Sequence, residues 1–219
     1  MTGDPDGIVL GIHIGSVRDE TFGGKTFTTA IDKRPVQGPV QIGKLGIHRD
    51  QQADARHHGG PSRALCCYVR AHQEAWAREW DRPVEPGAFG ENLTLGGLDE
   101  STVHIGDRFR VGTALIEVTS ARGPCATLSA RLGVPDIVAR IRMNGWTGWY
   151  CRVIDEGAAA AGMPLVLEYR EPAGISVLEA YRIKKDKGAP TAVVERLLAV
   201  PALCPEWRAR LEARIGSGD

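Results

Sequence analysis

Over roughly the first 170 residues, apolar positions come in short runs or alternate with polar ones, and glycine breaks the runs every few residues. Such runs predict strands. "GIVLGIHIGSV" from residue 7 is β-branched and apolar, "GPVQIGKLGI" from 38 follows a Pro/Gly turn, and "RALCCY" from 63 is short and mostly apolar. In "DRFRVGTALIEVT" from 107, Phe109 and Val111 alternate with Arg108 and Arg110, Gly112 turns the chain, and Leu115, Glu117 and Val118 carry the return. That pattern predicts a hairpin. "MPLVLEYR" from 163 predicts a last strand. Dense glycine turns and few long helices favour a barrel or sandwich over a parallel α/β sheet.

Two helical stretches interrupt this β-rich part. In "VRAHQEAWAREW", Val69, His72, Trp76 and Trp80 fall at helical spacing and form one apolar stripe, read as core packing rather than an aromatic ligand box. The second stretch follows Cys125, as "CATLSARL" and then "PDIVARIRMN". After "YREPAGIS" the period becomes helical throughout. Ser176 and Glu179 form a capping box before "VLEAYRIKK", followed by "TAVVERLLAV" and by "PEWRARLEARI" with Pro205 in its first turn. The expected class is therefore mainly β with helices (α+β): a β domain over 1–172 and a three-helix module over 173–219. Helices this short bury little alone, so the module must dock on the β domain or on a partner.

Composition narrows the function classes. The chain has 219 residues, 42% of them hydrophobic, which is enough for a full core. Lys plus Arg and Asp plus Glu number 27 each, so no global charge steers the chain to nucleic acid or an anionic membrane. The start "MTGDPDG" lacks the features of a secretory signal, and no apolar run approaches the roughly 18 residues of a membrane span. The five cysteines are irregularly spaced, which suits reduced thiols. A cytoplasmic protein is the resulting expectation.

Four stretches carry candidate chemistry. In "TSARGPCATL", Pro124 leads into a helix whose first turn would favour a negative charge on Cys125, and Arg122 adds a cation. A thiolate there is a nucleophile or a soft metal ligand; a plainly buried cysteine is the alternative. In "RHHGGPSRALCCY", Gly59, Gly60 and Pro61 make a tight turn able to face an anion, with His58 and Arg63 beside it, or else an ordinary surface turn. Glu91 and Asn92 in "FGENLTLGG" are loop residues with a hydrogen-bonding task, which can be local. Trp146 in "NGWTGWY" either lines a flat pocket or plugs a barrel end.

Taken together, "HHGGPSRALCCY", "FGENLT", "IGDRFRVGTALIEVTSARGPC" and "TGWY" resemble the MOSC domain family, related to the C-terminal part of molybdenum cofactor sulfurase. The resemblance is to its YiiM-like branch, associated with resistance to N-hydroxylated purine analogues such as 6-hydroxylaminopurine. It spans about residues 8 to 172, and the closing helices look like the module that often follows. It implies a MOSC-type β-barrel, a molybdenum cofactor of the molybdopterin type, and Cys125 as the molybdenum ligand. His58, Gly59, Gly60, Arg63, Glu91, Asn92 and Arg122 match the family's other motif positions. Two departures stand out: "LGIHRD" from 45 keeps Asp50 but has Arg49 where relatives tend to have glycine, and Trp146 stands where many have a basic residue.

The resemblance implies reduction of an N-hydroxyl group, with Lys44, Arg63 and Arg122 to hold the cofactor's phosphate and Asp50, His58 or Glu91 to orient substrate or supply a proton. Cys125 ligates the metal, while Gly59, Gly60, Asn92 and Trp146 complete the cofactor site. No flavin, haem or iron–sulfur signature is present, so electrons come from a separate reductase. The other partner is a small N-hydroxylated molecule; no nucleic acid or membrane is expected, and a homodimer stays open. Two rivals remain: a non-catalytic carrier of the cofactor or of sulfur, and a cofactor-free cysteine enzyme.

Overall fold

The computed structural model describes residues 6–54 and 58–216. Arg56 and His57 of the Gly-Gly-Pro stretch lie outside them. In chain order the strands are β1 (Gly7–Ile14), β2 (Arg18–Phe22), β3 (Lys25–Thr29), β4 (Arg34–Pro35), β5 (Val40–Gly43), β6 (Gly46–Ile47), β7 (Leu65–Val69), β8 (Leu93–Gly96), β9 (Arg108–Val111), β10 (Ala114–Ala121), β11 (Trp149–Asp155), β12 (Gly157–Ala159) and β13 (Pro164–Tyr169). The helices are α1 (Arg70–Trp80), α2 (Ala126–Leu132), α3 (Ile137–Asn144), α4 (Val177–Lys185), α5 (Thr191–Leu198) and α6 (Pro205–Gly216).

Seven strands close on themselves in the order β13-β9-β10-β11-β7-β8-β1, and a β1–β13 pairing completes the circle. Closure removes the edges that an open sheet leaves exposed. All these pairings are antiparallel except β7–β8, which is parallel and spans a crossover through α1. The hairpin at Gly112 forms as the alternation predicts: Phe109 and Val111 face the core while Arg108 and Arg110 are half-buried. On β10 all eight residues are buried, Glu117 included, because α4 packs on the strand. Glu117 is tolerated there through ion pairs with Arg108 (2.7 Å) and Arg152.

The helices divide between two hydrophobic clusters. One fills the barrel and runs without interruption into α4, α5 and α6 through Val177, Tyr181, Leu197, Trp207 and Leu211. The 173–216 helices thus share the barrel's core. Their start is fixed by Ser176, whose hydroxyl accepts from the Glu179 amide at 3.1 Å, and by the Cys204 amide donating to Thr119 of β10. The other cluster lies between α1, α2, α3 and the 84–89 loop: Tyr68, Trp76, Phe89, Leu128, Ile137 and Ile141. His72 and Trp76 bury the expected stripe, and Trp80 stacks on Trp76 with centroids 5.2 Å apart. Val69 belongs to the end of β7 instead. A hairpin missed by the strand pattern, β2–β3, turns on Gly23 and Gly24.

Candidate functional site

A cavity of about 260 Å³ opens where β10 leaves the barrel and the chain turns into α2. Its wall brings together residues from six separate parts of the chain: Lys33, His58, Arg63, Cys66, Asn92, Arg122, Cys125 and Tyr150 among them. Cys125 caps α2 in an extended conformation and is half-buried, with its surface toward the cavity. The backbone amide of Arg122 donates to Gly148 at the start of β11 (3.0 Å), which ties the Cys125 turn to the barrel. Gly148 has φ +67°, and a Cβ there would lie 2.3 Å from the Cys67 carbonyl, so only glycine lets the two chains approach this closely.

Arg122 is the unusual group. It is only 6% exposed, and among the described residues its guanidinium has neither a hydrogen bond nor an ion pair. Burial opposes its charge; Cys66, Tyr150, Cys125 and Glu91 would raise its pKa through their negative forms, but Cys66 and Tyr150 are themselves held un-ionised by burial. A buried cation without a counter-ion is costly, by several kcal/mol before relaxation, so this geometry calls for an anion in the cavity. Cys66, the second thiol in the wall, is pushed up to about 12, chiefly by burial. It stays a thiol at neutral pH. Tyr150 is likewise raised by burial and stays a phenol, placed 3.3 Å from His58 Nδ1.

The remaining polar residues frame this group. Asn92 uses its whole hydrogen-bonding capacity: its backbone amide and Oδ1 bracket Cys66 at 2.7 and 3.0 Å, and its Nδ2 reaches the His13 carbonyl (3.2 Å) and Asp50 (2.9 Å). Asp50 is fully enclosed and accepts from Gly15 N (2.8 Å), Gln52 (3.0 Å), Asn92 and the Lys33 ammonium. Asp50 therefore fixes Lys33 in the cavity wall. Glu91 is buried behind the wall, where Gln73 (2.6 Å), Gly87 N (2.6 Å), Phe89 N (3.0 Å) and Thr94 (2.8 Å) occupy its oxygens. It locks the 87–94 loop on which Asn92 rides.

His58, Arg63, Asn92, Arg122 and Cys125 are thus brought together at the cavity, with Asp50 and Glu91 one layer out. Gly60 takes φ +86° and caps the 3-10 turn that carries Arg63, so it and Gly59 shape the wall rather than line it. Lys44 is elsewhere: its ammonium donates to the carbonyls of Val153 (3.2 Å) and Ile154 at the end of β11. Trp146 stacks on His72 with centroids 4.5 Å apart and packs against Trp76, plugging the second cluster. Arg49 is exposed and does not reach the cavity. Lys33 and Tyr150 are wall residues that sequence reasoning missed. Tyr150 lay inside the quoted "TGWY", whereas Lys33 sits in "AIDKRPV" with no local signal, because its partner Asp50 meets it only through the fold.

A closed seven-stranded barrel with a half-buried cysteine and a buried arginine at its cavity defines the class of fold. Within it, the chain belongs to the MOSC domain family, whose model matches residues 54–166. It is 39% identical over 193 residues to the protein YiiM of Escherichia coli K12, covering 87% of this chain and 86% of that one. The crystal structure of YiiM from Geobacillus stearothermophilus superposes with a TM-score of 0.81 at 34% identity, over 95% of this chain and 98% of the other. A Gibberella moniliformis protein named a reductase is 31% identical over 201 residues, which are 89% of this chain but 35% of that longer one. Among the described residues, no helix is long and apolar enough to cross a membrane.

Proposed function

We propose that the protein is a molybdenum-cofactor-dependent reductase of small N-hydroxylated molecules, of the 6-hydroxylaminopurine type. The observation that carries this reading is the buried, unpaired Arg122 guanidinium beside the half-exposed Cys125 thiol. A thiolate is a soft metal ligand, and an arginine fork suits a phosphate. The residues present therefore fit a metal–pterin phosphate: Cys125 would hold the metal, while Arg122, Arg63 and Lys33 meet the negative charge. When bound, the cofactor supplies the two-electron redox couple.

The chain's own residues do the rest. Asp50 and Asn92 hold Lys33 and the Cys66 backbone in place, so the charged wall is set before anything binds. His58, hydrogen-bonded to Tyr150, is a titratable group at the cavity suited to hand over a proton, whereas the oxygens of Asp50 and Glu91 are already occupied. The overall change is R–NHOH plus two electrons and two protons giving R–NH2 and water. The longer fungal relative named a reductase supports the reduction.

The test is elemental and pterin analysis of protein made in a host that synthesises the cofactor, followed by turnover of 6-hydroxylaminopurine with reduced methyl viologen. About one molybdenum per chain and measurable turnover are expected, and Cys125→Ser should lose both while its circular dichroism stays unchanged. Full metal content in Cys125→Ser would remove the ligand assignment. Bound cofactor without any turnover would favour the carrier.

A further inference from the structure

Lys184 and Lys185 of α4 lie within electrostatic reach of Arg210 of α6, and Lys185 also of Arg142 of α3. The Lys184 ammonium lies 4.2 Å from the ring centroid of the buried Trp207, and that of Lys185 lies 5.8 Å from the Tyr181 ring. Aromatic faces hold these cations in fixed places without neutralising them. Trp207 and Arg210 are three residues apart on α6 and so share the face over which Lys184 sits.

The crowding acts on their charges. Burial, then repulsion from Arg210 and Lys185, lowers Lys184 to about 8, and burial with Arg142 and Arg210 lowers Lys185. Among the described residues none of the four cations has an ion pair. Of the acids on these elements, Glu206 pairs with Arg63 and Glu179 with Arg196, while Asp186 accepts from the Gly188 amide. Met143, 84% exposed, adds an apolar anchor next to Arg142. The chain as a whole is neutral, so this concentration of charge is local.

The face also communicates with the cavity. Glu206 of α6 pairs at 3.1 Å with Arg63, which lines the cavity and lies over the Tyr150 ring. The Glu206–Arg63 pair thus ties α6, which carries Arg210, to the cavity wall.

We propose that this basic face docks an acidic one-electron carrier protein of the flavodoxin kind, which supplies the electrons; the inference rests on the reductase reading. Two carriers in the anionic hydroquinone form each give one electron and become neutral semiquinones. R–NHOH plus two flavin hydroquinone anions and two protons then gives R–NH2, water and two semiquinones.

Two readouts test it on the cofactor-loaded protein. Calorimetric titration with flavodoxin should show binding that weakens steeply with salt. The triple variant Lys184→Glu, Lys185→Glu, Arg210→Glu should weaken it at least tenfold. Turnover driven by reduced flavodoxin should fall by a similar factor, while turnover driven by reduced methyl viologen stays within twofold. Arg142→Glu with Met143→Ser, both exposed, should weaken binding severalfold without touching the packed lysine. Equal affinity of wild type and both variants overturns the docking face, as does saturable binding of inorganic phosphate at this face with none of flavodoxin. Flavodoxin binding lost in the variants of a protein that reduces nothing with methyl viologen would sink the reductase reading and leave the docking face standing.

Discussion

At the scale of single residues, the cavity is organised by one cost that the fold does not relieve. Arg122 is buried among thiols and a phenol with no counter-charge of its own, so the protein without ligand bears its desolvation. Arg122→Met, similar in length and uncharged, should therefore raise the stability of cofactor-free protein by about 1–3 kcal/mol, read as a higher melting temperature. The same variant should fail to retain an anionic cofactor, read by phosphate and pterin content. No gain in melting temperature would mean that the guanidinium is satisfied by water. Arg49 bears a different strain. It takes φ +72°, a left-handed conformation that favours glycine, and its side chain is exposed. Arg49→Gly should stabilise the protein by about 1 kcal/mol in urea unfolding, with the cavity unchanged.

At the scale of elements, the site depends on how closely β7, β10 and β11 approach one another. Gly148 accepts from Arg122 and sits against Cys67, while its own amide donates to the buried Glu100 at 2.6 Å. Gly148→Ala forces a side chain into a left-handed position already filled by a carbonyl. It should cost on the order of 2–4 kcal/mol and loosen the Cys125 turn, seen as faster amide exchange at residues 121–126. At the other end of the chain, Ser176→Ala removes the α4 cap and should cost about 1 kcal/mol. Much at this scale was legible beforehand: the β9–β10 hairpin, the α1 stripe and the capped closing helices follow from period and turn chemistry. The pairing partners were not, because strand order depends on contacts between distant segments.

At the scale of the molecule, one hydrophobic cluster runs through the barrel and the closing helices. Removing residues 173–219 would expose the outer side of β10, so the remaining chain should express as insoluble or molten protein, judged by soluble yield and near-ultraviolet circular dichroism. Stability should also depend on pH. Burial lowers His13 and His104 below the ordinary 6.5, so each is kept neutral in the fold and takes up a proton more readily once unfolded. Their contribution is complete above about pH 6.5 and is lost as pH falls through their folded values. Denaturant midpoints should drop between pH 7 and 5, and His13→Asn should flatten that slope.

Cys125 and Arg122 were visible in the sequence because their signal is local: a proline, a cap position and a nearby cation occupy four consecutive residues. Lys44 and Trp146 looked equally suitable as neighbours of motif residues, yet the direction in which their segments leave the barrel turns one to the end of β11 and the other into the second cluster. The sequence by itself determined the elements, the β-rich class, the helical tail and the reactive turn, since propensity, period and capping act within a few residues. Only the tertiary structure decided that Lys33, Asp50 and Asn92 meet, that Glu91 stands behind the wall, and that Arg122 faces a cavity unpaired. Those facts depend on burial and on contacts between residues far apart in the chain, which no local pattern encodes.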